Sequence, residues 1–463
     1  MKLNFENLGP IDQASLELAP LTVICGLNNT GKTYVTYATY ALLAAWRRLV
    51  EWDISHEHMR ALQENGILKV DLHQEFVEKW AQIRSETAKK WKEFLPFALA
   101  APAQRFGETS LSFDFPITSA WVERSYESES TSEQGKIIFT AKKPAGSTAI
   151  EIAALRETGE TWPQFALEDF VRQVMLDTVL SAFLPNVFMA SAERTGAAIF
   201  KDELNLTKNK IVGLLSQLEK DKAQHITPSD LFDAVYKRGY ALPVDDNVRF
   251  VNRLQILEDS RGKLIEQHPE LLRDFRDITG GDYLTNKEGN THFIPNGARR
   301  GTKLALTEAS SAARSLLVLW YWLNGMAAQG DLLMIDEPEL NLHPVNQRKM
   351  ARFLAKLVKH GIKVFVTTHS DYIVKEFNTL IMLNRDLPHF SRIRNGFGYG
   401  EGEKLSPEAI RLYMTANAGT KKKPLRTLKL ARINPELGLE VGTFDDSIDE
   451  MNSIQDEIRY GGE

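Results

Sequence analysis

The sequence is poor in cysteine: Cys25 is the single cysteine among 463 residues. One thiol cannot form a disulfide within the chain, which excludes a disulfide-stapled secreted domain and fits a reducing compartment. Long apolar runs are also missing, because no stretch reaches the roughly 18 residues that a membrane-spanning helix needs. The first residues, Met1 to Phe5, lack the apolar segment of a secretory signal. We therefore expect a cytoplasmic protein that has no membrane partner.

The net charge of the chain is small as well. The chain has 56 basic and 61 acidic residues and a formal net charge of −5, which argues against a protein that coats DNA through a uniformly basic surface. Apolar residues make up 43% of the chain, as in ordinary globular proteins. The length allows two or three domains, or one domain that carries a large insertion.

A glycine-containing loop follows the apolar run Leu21–Cys25. Residues 26–33 read Gly-Leu-Asn-Asn-Thr-Gly-Lys-Thr and match G-x-x-x-x-G-K-[ST], a pattern in which backbone N–H groups and the lysine hold phosphates and the hydroxyl reaches Mg²⁺. A chance glycine turn is the alternative, but a strand before the loop and a helix after it favour phosphate binding. We assign ATP binding to Asn28, Asn29, Thr30, Gly31, Lys32 and Thr33, and a magnesium contact to Thr33.

Two further strand ends carry side chains suited to the same chemistry. The run Leu332–Ile335 ends in Asp336-Glu337, where Asp336 can hold Mg²⁺ and Glu337 can orient and deprotonate water. About thirty residues later, another strand ends at His369, which can contact a γ-phosphate. The alternative for Asp336-Glu337 is an ordinary acidic turn, and the alternative for His369 is a purely structural histidine. The phosphate loop upstream favours the functional interpretation of both.

These segments resemble the ABC-type ATPases of the RecF, SMC and OLD (overcoming lysogenization defect) group. Residues 21–33 look like the first strands and Walker A loop of that group. The stretch 336–344, Asp-Glu-Pro-Glu-Leu-Asn-Leu-His-Pro, is similar to its Walker B segment and D-loop, and Thr368-His369-Ser370 to its switch histidine. The resemblance covers roughly residues 1–50 and 300–385 and implies an α/β fold, an ABC-type P-loop ATPase head with an inserted, mostly helical subdomain.

Two looser matches concern the signature motif and the Q-loop region. Ser310 and Ser311 lie where the group has its signature motif, which begins a helix and binds the γ-phosphate held by a partner subunit. Ala312 replaces the usual glycine there, so hydrolysis could be slow. Residues 192–196, Ala-Glu-Arg-Thr-Gly, resemble the segment near the Q-loop position. The resemblance implies ATP and Mg²⁺ as cofactors and a head-to-tail homodimer or a higher homo-oligomer.

The pattern of apolar residues suggests how the rest of the chain is organised. We expect an ATPase core in residues 1–50, 186–200 and 300–400, a helical region with a small β element in 51–185, a helical insertion in 201–299 and a C-terminal extension in 401–463. Within the second of these, we interpret 51–105 as helical and 127–132 as a solvated hairpin loop. The residues after 385 are too few for the Toprim nuclease domain of OLD proteins, and the acidic pairs at 445–446 and 449–450 indicate a solvated helix face.

Three functions remain open at this point. The first is a regulatory ATPase of a bacterial antiphage defence system, similar to the stand-alone ATPases of Septu and PARIS, which would control a separate effector protein, a nuclease or toxin. The second is a RecF-like DNA-repair or DNA-end-binding ATPase, for which the basic stretch 421–432 offers a DNA or RNA contact. The third is a scaffold that binds ATP and hydrolyses little of it. The acidic net charge favours the first over the second.

Overall fold

The chain forms a mixed α/β structure built on a large sheet, as the sequence predicts. The computed structural model describes residues 1–50, 52, 55–115, 117–131, 137–154, 164–201, 239–299, 301–385, 388–418, 425–434, 438–440 and 442–460. The chain divides into two compact units. One comprises Met1–Leu3, Ala41–Phe94 and Ser110–Asn186, and the other Asn4–Tyr40, Leu95–Thr109 and Val187–Glu463.

The bounds of the elements are as follows. The helices of the described residues are α1 (Lys32–Ala44), α2 (Trp46–Leu49), α3 (His56–Asn65), α4 (Trp80–Ala98), α5 (Gln164–Leu180), α6 (Arg194–Ile199), α7 (Leu242–Val251), α8 (Leu254–Glu258), α9 (Lys263–Gln267), α10 (Pro269–Thr279), α11 (Ser311–Gly325), α12 (Pro344–Lys359), α13 (Asp371–Met382), α14 (Pro388–Phe397) and α15 (Gly442–Tyr460). The strands are β1 (Lys2–Leu8), β2 (Ile11–Glu17), β3 (Leu21–Cys25), β4 (Ile67–Asp71), β5 (Ser110–Asp114), β6 (Tyr126–Thr131), β7 (Ile137–Lys143), β8 (Ala149–Ala154), β9 (Val187–Ala190), β10 (Gly281–Thr285), β11 (Thr291–Pro295), β12 (Leu304–Ala305), β13 (Leu332–Asp336), β14 (Lys363–Thr368), β15 (Ile410–Asn417), β16 (Arg426–Leu430), β17 (Arg432–Asn434) and β18 (Gly438–Glu440).

The sheet of the second unit places the phosphate loop beside the two other predicted strand ends. Its strands lie in the order β1-β2-β16-β15-β3-β14-β13-β9. Strand β14 runs parallel to both β3 and β13, with Thr368 opposite Cys25 and Thr367 opposite Asp336. Because these strands are parallel, their carboxyl ends meet at one edge of the sheet. After residue 310 the elements α11, β13, α12 and β14 follow one another in the chain.

The apolar runs of the central strands reflect burial on both faces. Every residue of β3 and β13 is buried, and Cys25 is fully enclosed, as expected for a small apolar side chain at a strand end. Helix α11 buries its side chains almost all round, including Leu316 and Trp320. Helix α10 packs against α12 through Phe275 and Phe353, whose ring centroids are 5.0 Å apart.

In the first unit, the predicted hairpin loop at 127–132 is wrong, because residues 126–131 form strand β6 at the edge of the sheet β4-β8-β7-β6. Strand β6 pairs antiparallel with β7, and Glu127 lies opposite Lys142 with 2.7 Å between the charged atoms. The alternating Ser and Glu side chains suit an edge strand that is half solvated. Residue 132 lies outside the described residues.

The helical interpretation of 51–105 holds for α3 and α4 but is wrong for residues 67–71, which form β4. That strand buries Leu68 and Val70 on one face, a period of two that fits its pairing with β8. Later in the chain come helix α5 and strand β9. Of the predicted helical insertion 201–299, residues 202–238 lie outside the described part. The described remainder is not purely helical, because strands β10 and β11 follow helices α7 to α10. Pro243 lies in the first turn of α7.

The C-terminal part of the chain contributes to the main sheet. Strand β15 runs parallel to β3 on the side opposite β14, and β16 pairs antiparallel with β15. Of the predicted basic stretch, residues 421–424 lie outside the described residues and 426–430 are strand β16. Helix α15 follows, with Met451, Ile454 and Ile458 more than half exposed. Within the described residues, none of the helices combines the length and apolarity needed to cross a bilayer.

Candidate functional site

The loop between β3 and α1 has the backbone of a phosphate cradle. Its turns need left-handed conformations, with φ of 143° at Gly26, 60° at Asn29 and 99° at Gly31. A Cβ atom added at Gly31 would lie 2.7 Å from Ile11 Cγ1, so a side chain there would meet both strain and a clash. The loop conformation therefore depends on glycine at this position, which is one of the residues predicted to bind ATP.

Lys32 begins helix α1 and folds back over the loop. Its Nζ donates hydrogen bonds to the carbonyl oxygens of Gly26 at 3.0 Å and Leu27 at 2.7 Å. Burial lowers the pKa of the ammonium, and the nearby carboxylates of Asp336 and Glu337 oppose that shift. A partly desolvated cation held at the mouth of a loop of backbone N–H groups is suited to phosphate oxygens.

The acidic pair lies at the end of β13. The Asp336 side chain is buried and accepts a hydrogen bond from the Thr367 hydroxyl, and burial raises the pKa of this carboxyl to about 6. Glu337 has φ of 53°, a left-handed conformation that is uncommon for glutamate. Its backbone N–H donates to Thr367 O at 3.0 Å. The chain thus turns sharply after Asp336, and the turn brings the Glu337 carboxylate to the cleft.

His369 connects the carboxylate with the lysine. Its Nε2 lies 3.2 Å from Glu337 Oε1, and its Nδ1 lies 3.3 Å from Lys32 Nζ. Since an ammonium group can only donate, Nδ1 accepts, which assigns the ring proton to Nε2 and directs it at Glu337. The hydrogen bond from His369 lowers the pKa of the Glu337 carboxyl. Glu337 is therefore ionised at neutral pH, as a proton acceptor must be.

A cleft of about 550 Å³ joins these groups, a volume within the range of small-molecule sites. All the predicted loop residues from Asn28 to Thr33 line it, together with Glu337 and His369. Asp336 is not among the lining residues and lies buried behind them. Residues that are 304 to 341 positions apart in the sequence therefore meet around one opening.

The chemistry of the donors fits a magnesium nucleotide. The Thr33 side chain is exposed to the cleft, and Asp336 has a carboxylate oxygen beyond the one bound to Thr367. A hydroxyl and a carboxylate are the hard oxygen ligands that Mg²⁺ prefers. Together with the loop N–H groups and Lys32, these residues could hold a triphosphate and its metal ion.

Ser310 and Ser311 do not line this cleft. Ser310 is the N-cap of α11 and accepts a hydrogen bond from Ala313 N at 3.1 Å, while Ser311 opens the helix. Both residues are exposed, whereas Ala312 is half-buried and packs against the core. An exposed helix N-terminus is free to meet an anion that a second molecule brings.

Arg194 has a structural role that sequence reasoning did not assign. Its guanidinium is fully buried and donates from Nε to Ser315 O at 2.9 Å, from Nη1 to Ser191 O at 2.9 Å and Asp336 O at 2.7 Å, and from Nη2 to Glu337 O at 2.8 Å. Burial lowers its pKa to about 10, so it stays charged at neutral pH. One side chain thus ties helix α11 to the turn that carries the acidic pair.

Glu339 is a second residue whose role was not predicted, although it stands in the quoted Asp-Glu-Pro-Glu segment. Its Oε1 accepts hydrogen bonds from His369 N at 2.6 Å and from Thr368 Oγ1 at 2.9 Å. Burial raises the pKa of this carboxyl. The available signal in the sequence was a second acid directly after a proline in the acidic turn.

Comparison with known proteins supports an ATPase domain of the AAA or ABC type. Residues 177–374 match a family described as AAA ATPase domain, a range that includes Asp336, Glu337 and His369 but not the phosphate loop. A "Probable metal transport system ATP-binding protein" of Chlamydia trachomatis serovar D is 34% identical over 62 residues, which are 13% of this chain and 26% of that protein. The chain therefore spans about a quarter of the length of this curated relative.

Solved structures of SMC heads are similar to this chain with low sequence identity and low TM-scores. The Smc head domain with an extended coiled coil bound to the C-terminal domain of ScpA, from Pyrococcus furiosus, gives a TM-score of 0.33 at 12% identity, over 98% of each chain. The SMC head domain from Thermotoga maritima gives a TM-score of 0.31 at 12% identity, over 93% of this chain and 98% of that one.

Replacing Arg194 by Met should destabilise the protein, because three buried carbonyl groups and the partly buried one of Glu337 lose their donor. We expect the free energy of unfolding, measured by urea denaturation, to fall by about 3 kcal/mol or more. Arg194→Lys should recover part of the loss, since an ammonium cannot reproduce the planar fork. The control is Arg172→Met, which removes a half-exposed arginine paired with Asp169 at 2.8 Å and should cost under about 1 kcal/mol. Equal losses for Arg194→Met and the control would contradict the anchoring role.

Proposed function

We propose that this chain binds Mg²⁺–ATP in the cleft and hydrolyses it. The observation that carries the proposal is the convergence of Lys32, Glu337 and His369 on one opening, with distances of 3.3 Å from Lys32 Nζ to His369 Nδ1 and 3.2 Å from His369 Nε2 to Glu337 Oε1. A phosphate cradle and a carboxylate that can orient water are parts used in phosphoryl transfer to water, and the histidine lies within reach of both.

Each residue has a distinct part in this proposal. The backbone of residues 28–33 and Lys32 bind the phosphates, and Thr33 with Asp336 would hold Mg²⁺, which neutralises charge on the phosphate oxygens. Glu337 orients a water molecule and takes its proton while the water oxygen bonds to the γ-phosphorus. The bond from that phosphorus to the β–γ bridging oxygen breaks, and ADP leaves with the bridging oxygen. When ATP is bound, His369 would turn its Nε2–H from Glu337 to a γ-phosphate oxygen, so the hydrogen bond to Glu337 is made only while that group is absent.

We further propose that the complete site forms between two copies of the chain. Ser310 and Ser311 are exposed at the start of α11 and are not among the residues lining the cleft of their own chain. In a head-to-tail homodimer these serines would meet the γ-phosphate held on the partner's loop. Ala312, which packs against the core, leaves less room for close backbone approach than glycine would, so turnover in the isolated protein should be slow.

The cellular role that best accounts for such a site is regulation of a separate effector. We propose that the chain is the ATPase subunit of a bacterial antiphage defence complex, assembles as a homo-oligomer and holds or releases an effector, a nuclease or toxin. The support is the resemblance to stand-alone OLD-like ATPases and the acidic net charge of −5, which disfavours a RecF-like DNA-binding role.

The hydrolytic step is tested with three variants. Glu337→Gln should bind ATP but release phosphate about 100-fold more slowly or worse, because the proton acceptor is lost. Lys32→Met should weaken ATP binding, since the cation at the loop is removed. The matched control Glu288→Gln changes an exposed glutamate in the turn between β10 and β11 and should keep wild-type rates. Phosphate release and equilibrium binding of a fluorescent ATP analogue are the measurements.

Two results would redirect the proposal. Phosphate release that is the same in Glu337→Gln as in wild type would remove Glu337 from the reaction. ATP binding without phosphate release in the wild type would make the chain an ATP-dependent scaffold. Addition of DNA separates the remaining alternative, because stimulated hydrolysis indicates a RecF-like role and indifference to DNA favours the effector-controlling one.

The composite site is tested by combining two inactive subunits. Lys32→Met removes the cation of the phosphate loop, and Ser311→Arg places a large side chain at the N-terminus of α11. Co-expressed with different affinity tags and purified through both tags, the two variants should form mixed dimers with about half of the wild-type ATPase rate, because one of the two sites has an intact loop and an intact serine. Each variant alone should be inactive. Mixed dimers as inactive as their components would contradict a site shared between subunits.

The defence role is tested in bacteria that carry the chain with its flanking genes. Wild type should lower phage plaque counts, and Glu337→Gln should restore them to the level of cells without the genes, since the effector is no longer controlled by hydrolysis. Glu288→Gln should protect as wild type does. Failure of the wild type to protect against a broad phage panel would contradict the defence role and leave the ATPase assignment standing.

A further inference from the structure

Two histidines and a glutamate meet on the second unit at the ends of two helices. His268 is the residue before α10, Glu270 lies in the first turn of that helix, and His360 follows α12. One ligand atom of each residue lies within 4.8 Å of the other two. The imidazole centroids are 4.0 Å apart, and His268 Nδ1 is 3.3 Å from Glu270 Oε1. None of the three lines the nucleotide cleft.

Packing of the two helices holds this cluster together. Leu271 and Leu357, one helical turn or less from the cluster, are fully buried. Across the same contact, Lys356 Nζ lies 2.8 Å from Asp274 Oδ2. The backbone is also fixed, because His268 N donates to Leu264 O at 2.8 Å and His360 N donates to Lys356 O at 3.0 Å. The backbone that carries the three ligand residues is therefore already ordered.

The charged groups around the cluster include both lysines and carboxylates, and they are compatible with a bound cation. Of the two lysines near His360, Lys356 is paired with the carboxylates of Asp274 and Glu403. Lys359 keeps its positive charge and donates from Nζ to Glu401 O at 3.1 Å. Hydrogen bonding to the backbone lowers the pKa of Glu270, which keeps its carboxylate ionised. Burial lowers the pKa of His360 and favours the neutral ring that ligates metals.

We propose that His268, Glu270 and His360 form a binding site for a divalent transition-metal ion, and that this ion is zinc. Two imidazole nitrogens and one carboxylate oxygen are a ligand set that Zn²⁺ accepts, with water in the fourth position. Zinc bonds of about 2.1 Å place tetrahedral ligands about 3.4 Å apart, so the observed separations need only small side-chain rotations. The three residues are half-buried, which leaves room for the water.

The bound ion joins the start of α10 to the end of α12. Helix α12 begins at Pro344, directly after the turn that holds Asp336 and Glu337. Zinc at the far end of that helix therefore stabilises the packing on which the turn is built. The site does not depend on the proposed ATPase activity, and it would stand if that activity were disproved.

The test uses the full chain, stripped with a chelator and dialysed into buffer without nucleotide or Mg²⁺. Wild type should take up one Zn²⁺ by calorimetric titration and melt at a higher temperature with zinc than without. His268→Ala and His360→Ala should each weaken zinc binding at least about tenfold, and Glu270→Gln should weaken it to a lesser or similar degree. The control His389→Ala removes an exposed histidine of α14 and should bind zinc as wild type does.

A second readout guards against variants that fold poorly. Co²⁺ added to wild type should give visible absorption bands typical of tetrahedral coordination, which Zn²⁺ then displaces. Far-ultraviolet circular dichroism identifies any variant that is unfolded, and His268→Gln and His360→Gln then replace the alanine variants. Wild type that takes up no zinc, or variants of all three residues that bind zinc as tightly as wild type, would overturn the proposal.

Discussion

The buried guanidinium of Arg194 is the interaction on which the geometry of the site depends. Taking a charge out of water costs several kcal/mol, and hydrogen bonds must offset that cost. Here the offset comes from backbone carbonyls of Ser191, Ser315, Asp336 and Glu337. These carbonyls belong to three separate segments, namely the end of β9, helix α11 and the acidic turn. One cation therefore fixes the relative positions of elements that are far apart in sequence.

A second set of hydrogen bonds joins the acidic turn to β14 and to the residue that follows it. Glu337 N donates to Thr367 O, and Glu339 accepts from the backbone of His369. The turn is thus held from β14 as well as from Arg194, which explains how Glu337 keeps an unfavourable φ of 53°. Since the carboxylate follows β13 and the histidine follows β14, a shift of β14 relative to β13 would change the 3.2 Å separation of Glu337 Oε1 and His369 Nε2.

The parts of the site that could be predicted from the sequence are those formed by short contiguous motifs. The loop at 26–33 and the pair Asp336-Glu337 are short motifs at the ends of apolar strands, and the parallel sheet brings them together as the patterns suggest. Arg194 was noticed only as part of a loose match, because its partners lie up to 143 positions away. The cluster of His268, Glu270 and His360 shows no spacing signal at all, since it arises from the packing of α10 on α12.

The same distinction applies to the fold. Strands with apolar runs, such as β3 and β13, are evident because they are buried on both faces. The edge strand β6 was interpreted as a loop because its Ser and Glu residues look solvated, and only its pairing with β7 makes it a strand. The order of the strands in the sheet could not be predicted from the sequence, because residues 410–430 pair with strands that lie hundreds of residues earlier in the chain.

The position of β3 between β14 and β15 has a consequence for synthesis of the chain. The phosphate loop leaves the ribosome well before the neighbours of its strand, which are residues 363–368 and 410–417. At about 5–20 residues per second, these neighbours follow on the order of tens of seconds later. During that time an apolar strand stays unpaired and is exposed to misfolding. A nascent chain of this protein should therefore depend on protection by chaperones until β14 and β15 emerge.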